Sequence, residues 1–455
     1  MTQWKRFIHP ARRLHHGTVL RLHPPEILLL SFVMLAVIGM LFLKLPFASV
    51  TTMTWLEALF TATSAITVTG LGVINTGQDL TFYGQLIILV LIQIGGLGLM
   101  TFASLTLVLL GGRLPLNQKN LVRESLNQTS LSNLMGIVRV VIIFSFIMEI
   151  TGTLLLSLSW VPHYGLQHGL WVSMFHAISA FNNAGFSTWS DSLRGEVTNP
   201  LVNFVISFLF ITGGLGFAVI SELYEKRSLF NLSMQAKLII YTTIALNVVA
   251  MGLFLLLEWH NPATLGGLDS LGVKLQAAWF QAVTPRTAGF NTLDTAALTT
   301  PSVLLIMLLM VIGGGPSSTS SGIKVTTFVV LFLTARAFLR GNKEPDVFRR
   351  SLSQETVMKA ISVALAAVSL IFVALFLLTV TEPKLPFINL AFETVSAFGT
   401  VGLSRGITSE LSGWGQIILI ITMLLGRVGP LALGYFLATN KHSGMRYAEG
   451  RIQIG

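Results

Sequence analysis

The 455-residue sequence contains no cysteine. A disulfide framework, a thiolate metal site and a cysteine nucleophile are therefore excluded. Charge is also scarce, because Asp, Glu, Lys and Arg make up 11% of the chain whereas apolar residues make up 53%. So few charges cannot cover the surface of a soluble protein of this length. Together with a mean hydropathy of +0.74, this composition indicates an integral membrane protein.

Long segments with little charge identify the membrane spans. A helix needs about 20 residues to cross a hydrocarbon core of about 30 Å. There are eight such segments. Five are uncharged, and each of the other three has one interruption: Glu149, a run of small residues, or Arg427. The predicted spans are residues 27–43, 86–110, 140–159, 201–220, 238–257, 301–333, 361–380 and 416–437. The sequence therefore predicts an all-α protein with eight spans.

The distribution of Lys and Arg predicts the orientation of the chain. Short cytoplasmic loops carry the excess of these residues. The N-tail holds five, the loops 111–133, 222–237 and 335–359 hold three, three and six, and the C-tail holds three, which is 20 of the 29. We therefore expect both termini in the cytoplasm, with a retained N-tail. The net charge of +10 then reflects membrane orientation, and no nucleic-acid partner is expected.

A repeated pattern divides the chain into four units. Each unit has a phenylalanine, a serine or threonine four residues later, and a glycine ten residues after the phenylalanine, or nine in the third unit. The sets are Phe60, Ser64 and Gly70; Phe175, Ser179 and Gly185; Phe280, Thr284 and Gly289; and Phe392, Ser396 and Gly402. Further glycines follow at Gly95-Gly96, Gly213-Gly214, Gly313-Gly314 and Gly426. Such self-similarity indicates a repeat architecture.

The repeat predicts the domain organisation. Between the two spans of each unit lies a segment too short to cross and too apolar for an exposed loop, which we interpret as a re-entrant half-helix. Non-helical backbone is tolerated at membrane depth only inside protein or beside water, so the four segments must converge. We expect four fused membrane–pore-loop–membrane repeats, with eight spans and four half-helices, around one central pore. Their bounds are 26–111, 134–222, 236–340 and 358–438, between an N-tail at 1–25 and a C-tail at 439–455.

Four tetrapeptides that end at the repeated glycines form the candidate ion filter, and we name them the glycine loops. They are Thr67-Val68-Thr69-Gly70, Asn182-Asn183-Ala184-Gly185, Arg286-Thr287-Ala288-Gly289 and Gly399-Thr400-Val401-Gly402. Because they share only glycine, we expect backbone carbonyl oxygens to replace the hydration shell of a monovalent cation. Glycine permits the positive φ that such a turn needs, and each half-helix adds the negative end of its dipole. One such glycine would be read more simply as a helix C-cap, but four copies in register favour a filter.

A run of small residues interrupts the sixth predicted span, and we name it the intramembrane loop. It consists of Gly313, Gly314, Gly315, Pro316, Ser317, Ser318, Thr319, Ser320, Ser321 and Gly322. Its glycines and proline cannot continue a stable helix, and it begins about 18 Å below the outer end of the span. We predict a flexible gate beneath the filter, with Arg427 as an electrostatic barrier or a hydrogen-bonding latch and Lys324 as a possible further pore charge. The alternative is a kinked helix packed through small residues.

The remaining charges at membrane depth need partners, because such charges are costly. Arg286 lies three residues before Gly289 and would repel ions if it pointed into the pore. We expect it to brace the filter from behind, against Glu57 or Glu393. On the external side, ten acidic residues face five basic ones, and this excess is expected to concentrate cations at the mouth. Those acidic residues are Glu57, Asp79, Asp191, Glu196, Glu258, Asp269, Asp294, Glu382, Glu393 and Glu410.

These features together resemble the Trk/Ktr/HKT superfamily of potassium transporters, in which one chain carries four membrane–pore–membrane units. The resemblance runs from Glu26 to the C-terminus and depends most on the glycine loops, the intramembrane loop and Arg427. It implies uptake of K+, with Na+ as a coupling or activating ion. It also implies a homodimer in the lipid of a bacterial inner membrane, seated on a cytosolic ring of nucleotide-binding regulatory subunits of the RCK type, similar to KtrA. The short N-tail is typical of the eight-span Ktr type.

Two details refine this resemblance. In plant relatives, a serine at the first filter glycine accompanies sodium transport, so Gly70 favours potassium. No loop has the full TVGYG signature of potassium channels. We therefore expect a shorter filter with fewer ordered ion sites.

Other functions have weaker support in the sequence. A non-selective cation pore is the nearest alternative, and an alternating-access symporter would also break helices near the midplane. Gly315-Pro316-Ser317 imitates the motif of intramembrane serine proteases, but His176 lies on an external half-helix, so no base is positioned and no enzyme is expected. Gly95-Gly96-Leu97-Gly98 lies inside a span and follows no strand, so nucleotide sensing must come from a partner.

Overall fold

The computed structural model describes residues 24–109, 134–342 and 344–429. They form fourteen α-helices, a short antiparallel hairpin and several 3-10 turns. The helices are α1 (Pro24–Leu43), α2 (Trp55–Ile66), α3 (Phe82–Leu109), α4 (Leu134–Tyr164), α5 (Leu166–Phe181), α6 (Pro200–Leu215), α7 (Phe217–Lys226), α8 (Met234–Glu258), α9 (Leu271–Val283), α10 (Thr300–Val311), α11 (Val325–Leu339), α12 (Gln354–Thr381), α13 (Phe387–Gly399) and α14 (Gly413–Val428). The hairpin pairs β1 (Asp346–Val347) with β2 (Arg350–Ser351). The predicted N-tail up to residue 23, the loop 111–133, the end of the eighth span and the C-tail lie outside the described residues.

The prediction of eight spans is met in part. Three helices of the described chain are long and apolar enough to cross a membrane: Arg139–Tyr164, Met234–Glu258 and Gln354–Thr381. The pair of α6 and α7 makes a fourth if it is one span, although it bends by 94°. The other apolar segments within helices are shorter than a span needs. They are Leu28–Leu43 in α1, Phe82–Leu97 in α3, Thr300–Val311, Val325–Leu339, Phe387–Gly399 and Gly413–Val428. The difference arises because predicted spans are broken into shorter helices or continue beyond the described residues.

Long helices such as α12 lie at the periphery, whereas the short helix α13 lies inside. Helix α12 exposes large apolar side chains such as Leu365, Phe372 and Val380 along its length. In α13, by contrast, every residue from Leu390 to Gly399 is buried. Apolar side chains on the outside suit contact with lipid, whereas the ends of the short helices are enclosed by protein, as non-helical backbone at membrane depth requires.

Successive helices pack as a closed series. Each short helix packs against the long helix before it, α2 on α1, α5 on α4, α9 on α8 and α13 on α12. Neighbouring units also touch, since α3 contacts α4 and α5, α6 contacts α9, and α10 contacts α13. Helix α14, at the end of the described chain, packs against α1 and α2. The last unit therefore contacts the first.

The chain bends sharply at Gly216, where the sequence predicted a continuous span over 201–220. Gly216 has φ +99°, a conformation that L side chains rarely adopt. The Phe217 amide, freed by the bend, donates to the carbonyl of Ser317 at 3.0 Å. A side chain at 216 would also meet the Pro316 carbonyl oxygen, at 2.5 Å from its Cβ. The bend therefore exists because the intramembrane loop of the third unit packs against the second.

Candidate functional site

The four short helices end where the glycine loops begin. Helices α2, α5 and α9 end at Ile66, Phe181 and Val283, and α13 ends at Gly399, the first residue of the fourth loop. The repeated Ser or Thr ties each helix to its loop. The amides of Gly70 and Gly402 donate to Ser64 and Ser396 Oγ, each at 3.1 Å, while the hydroxyls of Ser179 and Thr284 donate to the carbonyls of Phe186 and Phe290. The carbonyl ends of four helix dipoles therefore point toward the loops.

The same backbone conformation recurs in all four loops. The second residue is left-handed, with φ +57° at Val68, +59° at Asn183, +71° at Thr287 and +48° at Thr400. The terminal glycine also has positive φ, at +90° for Gly70, +68° for Gly185, +79° for Gly289 and +91° for Gly402. Left-handed Val and Thr are strained by about 1–3 kcal/mol each, so the surroundings must impose this shape. The repeated glycines are evident from the sequence, but the left-handed conformation of the second residue is not, because no glycine marks that position.

The four glycines follow one another around a closed ring. A Cβ added to Gly70 would lie 3.1 Å from the Cα of Gly185, and one added to Gly185 would lie 2.9 Å from the Cα of Gly289. One added to Gly289 would lie 3.4 Å from the Cα of Gly402, and one added to Gly402 would lie 3.1 Å from the Cα of Gly70. Side chains at these positions would therefore collide with the next loop.

Most carbonyl groups of the glycine loops accept no hydrogen bond from the described part of the chain. No described residue donates a hydrogen bond to the carbonyls at the last three positions of any of the four loops. Buried carbonyls without partners are rare in proteins and need an explanation. Gly70, Gly185 and Gly402 remain partly exposed amid loops that are otherwise mostly buried. The ring therefore offers a narrow, oxygen-rich space at four helix C-termini, which can hold a cation.

The later glycines of each unit let the following helix approach the filter. A Cβ on Gly95, Gly213 or Gly426 would clash with the carbonyl oxygen of Ile66, Phe181 or Phe398, at the end of the short helix of the same unit. In the third unit, a Cβ on Gly313 would clash with the Ser321 carbonyl of the intramembrane loop. These glycines are therefore packing positions.

The intramembrane loop connects α10 to α11 and is mostly buried. Its ends are joined by a parallel bridge between Ile312 and Ile323, in which the Gly313 amide donates to the Ile323 carbonyl at 2.9 Å. Its middle is held by α6, because the Gly315 amide donates to the Gly214 carbonyl at 2.9 Å. The intramembrane loop is thus a folded segment held by hydrogen bonds at its ends and in its middle.

Two basic side chains, Arg427 and Lys324, donate hydrogen bonds to the intramembrane loop. Arg427 on α14 is 3% exposed, and its guanidinium donates to the Thr319 carbonyl, to Ser321 Oγ at 3.1 Å and to the Gly95 carbonyl at 2.7 Å. Lys324 Nζ donates to the Ser320 carbonyl at 2.6 Å. Neither forms an ion pair with a carboxylate of the described chain. Both charges therefore lie at the loop, with backbone oxygens as partners.

Arg286 braces the third glycine loop from behind, but its predicted partners are wrong. Its guanidinium donates to Asn247 Oδ1 at 3.2 Å, to Thr243 Oγ1 at 3.3 Å and to the Gly313 carbonyl at 3.3 Å. Glu57 instead completes a capping box with Thr54 at the start of α2, and Glu393 accepts from Ser404 and Thr408. The sequence missed Asn247 and Thr243 because they lie on α8, about 40 residues earlier, with no motif to mark them.

A buried carboxylate contacts the second glycine loop. Glu149 on α4 is 3% exposed, and its two oxygens accept from Asn182 Nδ2 and Gln93 Nε2, each at 3.1 Å. Asn182 Nδ2 also donates to Gln93 Oε1 at 2.8 Å, which closes a three-membered ring of hydrogen bonds. The sequence showed Glu149 only as an interruption of a span; its charge at membrane depth was the available signal.

Several of the carboxylates that the sequence predicts on the external side connect helices. Glu258 is fully buried and accepts from the Thr299 amide and hydroxyl at 2.9 and 2.7 Å, and Glu382 accepts from the Ser412 amide at 2.9 Å. Each joins the C-terminal end of a long helix to the start of a later helix. Among the described residues, no three His, Asp or Glu side chains are grouped to hold a metal ion.

Comparisons with known proteins agree with this arrangement. A model of the TrkH family, described as a cation transport protein, matches residues 14–238 and 228–445. Ktr system potassium uptake protein B of Bacillus subtilis is 46% identical over 435 residues, covering 96% of this chain and 97% of that protein. Potassium/sodium uptake protein NtpJ of Enterococcus hirae is 34% identical, covering 96% and 98%.

A solved structure has the same fold. The potassium transporter TrkH from Vibrio parahaemolyticus superimposes with a TM-score of 0.73 at 20% identity, covering 94% of this chain and 87% of that one. The matches extend over nearly the whole chain and confirm the resemblance inferred from the sequence. The chain belongs to the TrkH family of cation transport proteins.

Proposed function

We propose that this chain is the pore-forming membrane subunit of a Ktr-type potassium uptake system in a bacterial inner membrane. The observation that carries the proposal is the closed ring of glycine loops at the C-termini of four short helices. The carbonyl groups at the last three positions of each loop accept no hydrogen bond from any residue that the structure describes. Potassium is the ion named in the relatives reported above, at 46% and 34% identity. The proposed arrangement has four membrane–pore-loop–membrane repeats around one pore, with both termini in the cytoplasm.

In this mechanism the glycine loops are the selectivity filter. Carbonyl oxygens of the four loops replace the water shell of K+, and the helix dipoles add negative potential. Selectivity depends on the distance between the loops, which is set by bare glycine backbones in close approach. Na+ is smaller, so a ring of carbonyl oxygens at this spacing compensates less of the free energy that Na+ loses with its water shell.

The intramembrane loop is the gate in this proposal. It lies across the path below the filter, held by Arg427, Lys324 and the Gly214 carbonyl. Two positive charges at that depth oppose the passage of a cation, and release of the loop would remove both the obstacle and its fixed partners. We further propose that a cytosolic ring of nucleotide-binding subunits biases the loop, that the chain acts as a homodimer, and that Na+ couples to or activates uptake. The name of the Enterococcus relative, a potassium/sodium uptake protein, supports the last point.

Reconstituted transport tests this function. We expect liposomes that contain the purified protein together with its cytosolic ring to take up K+ in preference to Na+ when both ions compete, and uptake to respond to added Na+. Equal uptake of both ions would instead favour the nearest alternative, a non-selective cation channel. Flux that saturates with strict stoichiometric coupling and no voltage-driven conductance would favour an alternating-access symporter.

A further inference from the structure

The side chain of Asn183 connects the glycine loops to the middle of the intramembrane loop. Asn183, in the second glycine loop, is 1% exposed, and its Oδ1 accepts from Thr319 Oγ1 at 3.0 Å. Its Nδ2 donates to Ser320 Oγ at 3.4 Å and to Thr287 Oγ1 at 3.3 Å. Thr287 occupies the equivalent position in the third glycine loop. Asn183 therefore contacts two glycine loops and the intramembrane loop at once.

The surroundings of Asn183 are built to allow these contacts. A Cβ on Gly213 would lie 2.8 Å from Asn183 Oδ1 and 3.1 Å from Thr319 Oγ1, and one on Gly214 would lie 3.0 Å from Ser320 Oγ. The Gly213-Gly214 pair thus leaves room for the asparagine and its partners. Asn183 also has φ +59°, which asparagine tolerates better than most residues.

The equivalent positions in the other loops do not make this connection. Val68 has no polar side-chain atom, and Thr400 Oγ1 is buried without a hydrogen-bond partner in the described structure. Arg286 of the third glycine loop also reaches the intramembrane loop, but at the Gly313 carbonyl at its beginning. Of the sixteen residues in the glycine loops, all within the described chain, Asn183 is the one whose side chain bonds to hydroxyl groups in the middle of the intramembrane loop.

We propose that Asn183 is a positioning residue that couples the intramembrane loop to the glycine loops, so that the position of the intramembrane loop alters discrimination between K+ and Na+. This inference rests on the proposed function. When the intramembrane loop moves, Asn183 Oδ1 loses the donor that orients it, and the second and third glycine loops lose a fixed link. The spacing of the carbonyl ring, and hence its preference for the larger ion, changes with the state of the gate.

The Thr319 hydroxyl provides the test. Thr319→Val removes the hydroxyl with little change in shape and leaves the backbone carbonyl that accepts from Arg427. We expect Thr319→Val to change the ratio of K+ to Na+ uptake roughly fivefold or more, and the conservative Thr319→Ser to restore the ratio of the unaltered protein. Thr422→Val is the matched control, because Thr422 is also buried but its hydroxyl donates to the Ile418 carbonyl of its own helix at 2.7 Å.

A double-variant comparison assigns the effect to Asn183. Asn183→Gly removes the side chain and accepts the positive φ, so adding Thr319→Val to it should change the ion ratio no further. The coupling is overturned if Thr319→Val keeps the ratio of the unaltered protein, or if its effect adds in full to that of Asn183→Gly. Failure of the proposed function has a different signature, since the unaltered protein would then show no preference for K+.

Discussion

At the scale of single residues, the terminal glycines of the glycine loops have two independent reasons to be glycine. Gly70 has φ +90°, and a Cβ there would clash with the Ala184 carbonyl oxygen of the next loop. Gly289 has φ +79° and would clash with the Val401 carbonyl oxygen. Backbone strain and a lost close approach therefore act together at each position.

Gly70→Ser and Gly289→Ser should each weaken potassium binding in the filter. Strain of about 1–3 kcal/mol and displacement of the neighbouring loop predict a loss of apparent K+ affinity of roughly tenfold or more. Concentration-dependent K+ uptake in competition with Na+ measures it. Gly406→Ser is the control, because Gly406 also has φ +90° but has open space around it. Unchanged potassium kinetics in both filter variants would remove the filter assignment.

A second prediction at this scale concerns the hydrogen bonds of Glu149. Both carboxylate oxygens accept hydrogen bonds, so Glu149→Gln must present an amide donor to either Asn182 or Gln93. An unsatisfied buried donor costs about 1–3 kcal/mol, so the thermal midpoint of the purified protein and its K+ uptake should both fall. Gln93→Glu combined with Glu149→Gln restores a complete set of donors and acceptors and should recover both properties. If the combined variant is no better than Glu149→Gln alone, the hydrogen-bonded ring does not support the filter.

At the scale of elements, the intramembrane loop separates α10 from α11 with a buried, non-helical segment. The intramembrane loop is buried, contacts α6 and the bend at Gly216, and is bonded by Arg427 from α14. Its sequence predicted the break in the helix. The partners in α6 and α14 are distant in sequence, and only folding brings them to the loop.

Deletion of Ser317 to Ser321 should raise the maximal rate of K+ uptake while leaving the apparent K+ affinity much less changed. The deletion would remove the proposed obstacle below the proposed filter, including the Thr319 carbonyl and Ser321 hydroxyl that Arg427 binds. Arg427→Gln should raise the rate for the same reason, and the two changes together should add little. Uptake rates normalised to the amount of protein in the membrane provide the measurement. Loss of transport in correctly assembled deletion protein would indicate a packed kink with no gating role.

At the scale of the whole molecule, charge is arranged by depth. Arg427 and Lys324 lie at the intramembrane loop with backbone oxygens as partners, while Glu149 is buried beside the second glycine loop with amides as partners. Under the proposed function, a cation would meet favourable carbonyl oxygens in the filter. Below it, the cation would meet two positive charges that have no carboxylate partner among the described residues. Opening such a barrier requires a source of free energy that binds the two states unequally.

We expect the purified chain alone to transport poorly, and an added cytosolic regulatory ring to raise its flux. A tenfold rise corresponds to about 1.4 kcal/mol of differential binding to the open state. Liposome uptake with and without the partner measures the change. A partner ring with its nucleotide-binding site disabled is the control. Full, tightly regulated transport by the chain alone would contradict the need for a partner.

The sequence by itself determined the membrane class, the fourfold pattern, the positions of the repeated glycines and the break at the intramembrane loop. These features are local, because long apolar runs and clusters of glycine and proline restrict the chain wherever they occur. Only the tertiary structure decided that Arg286 bonds with Asn247, that the chain bends at Gly216, and that Asn183 reaches Thr319. Each of these depends on side chains from distant segments competing for the same buried donors and acceptors, and that choice is settled only when the helices pack.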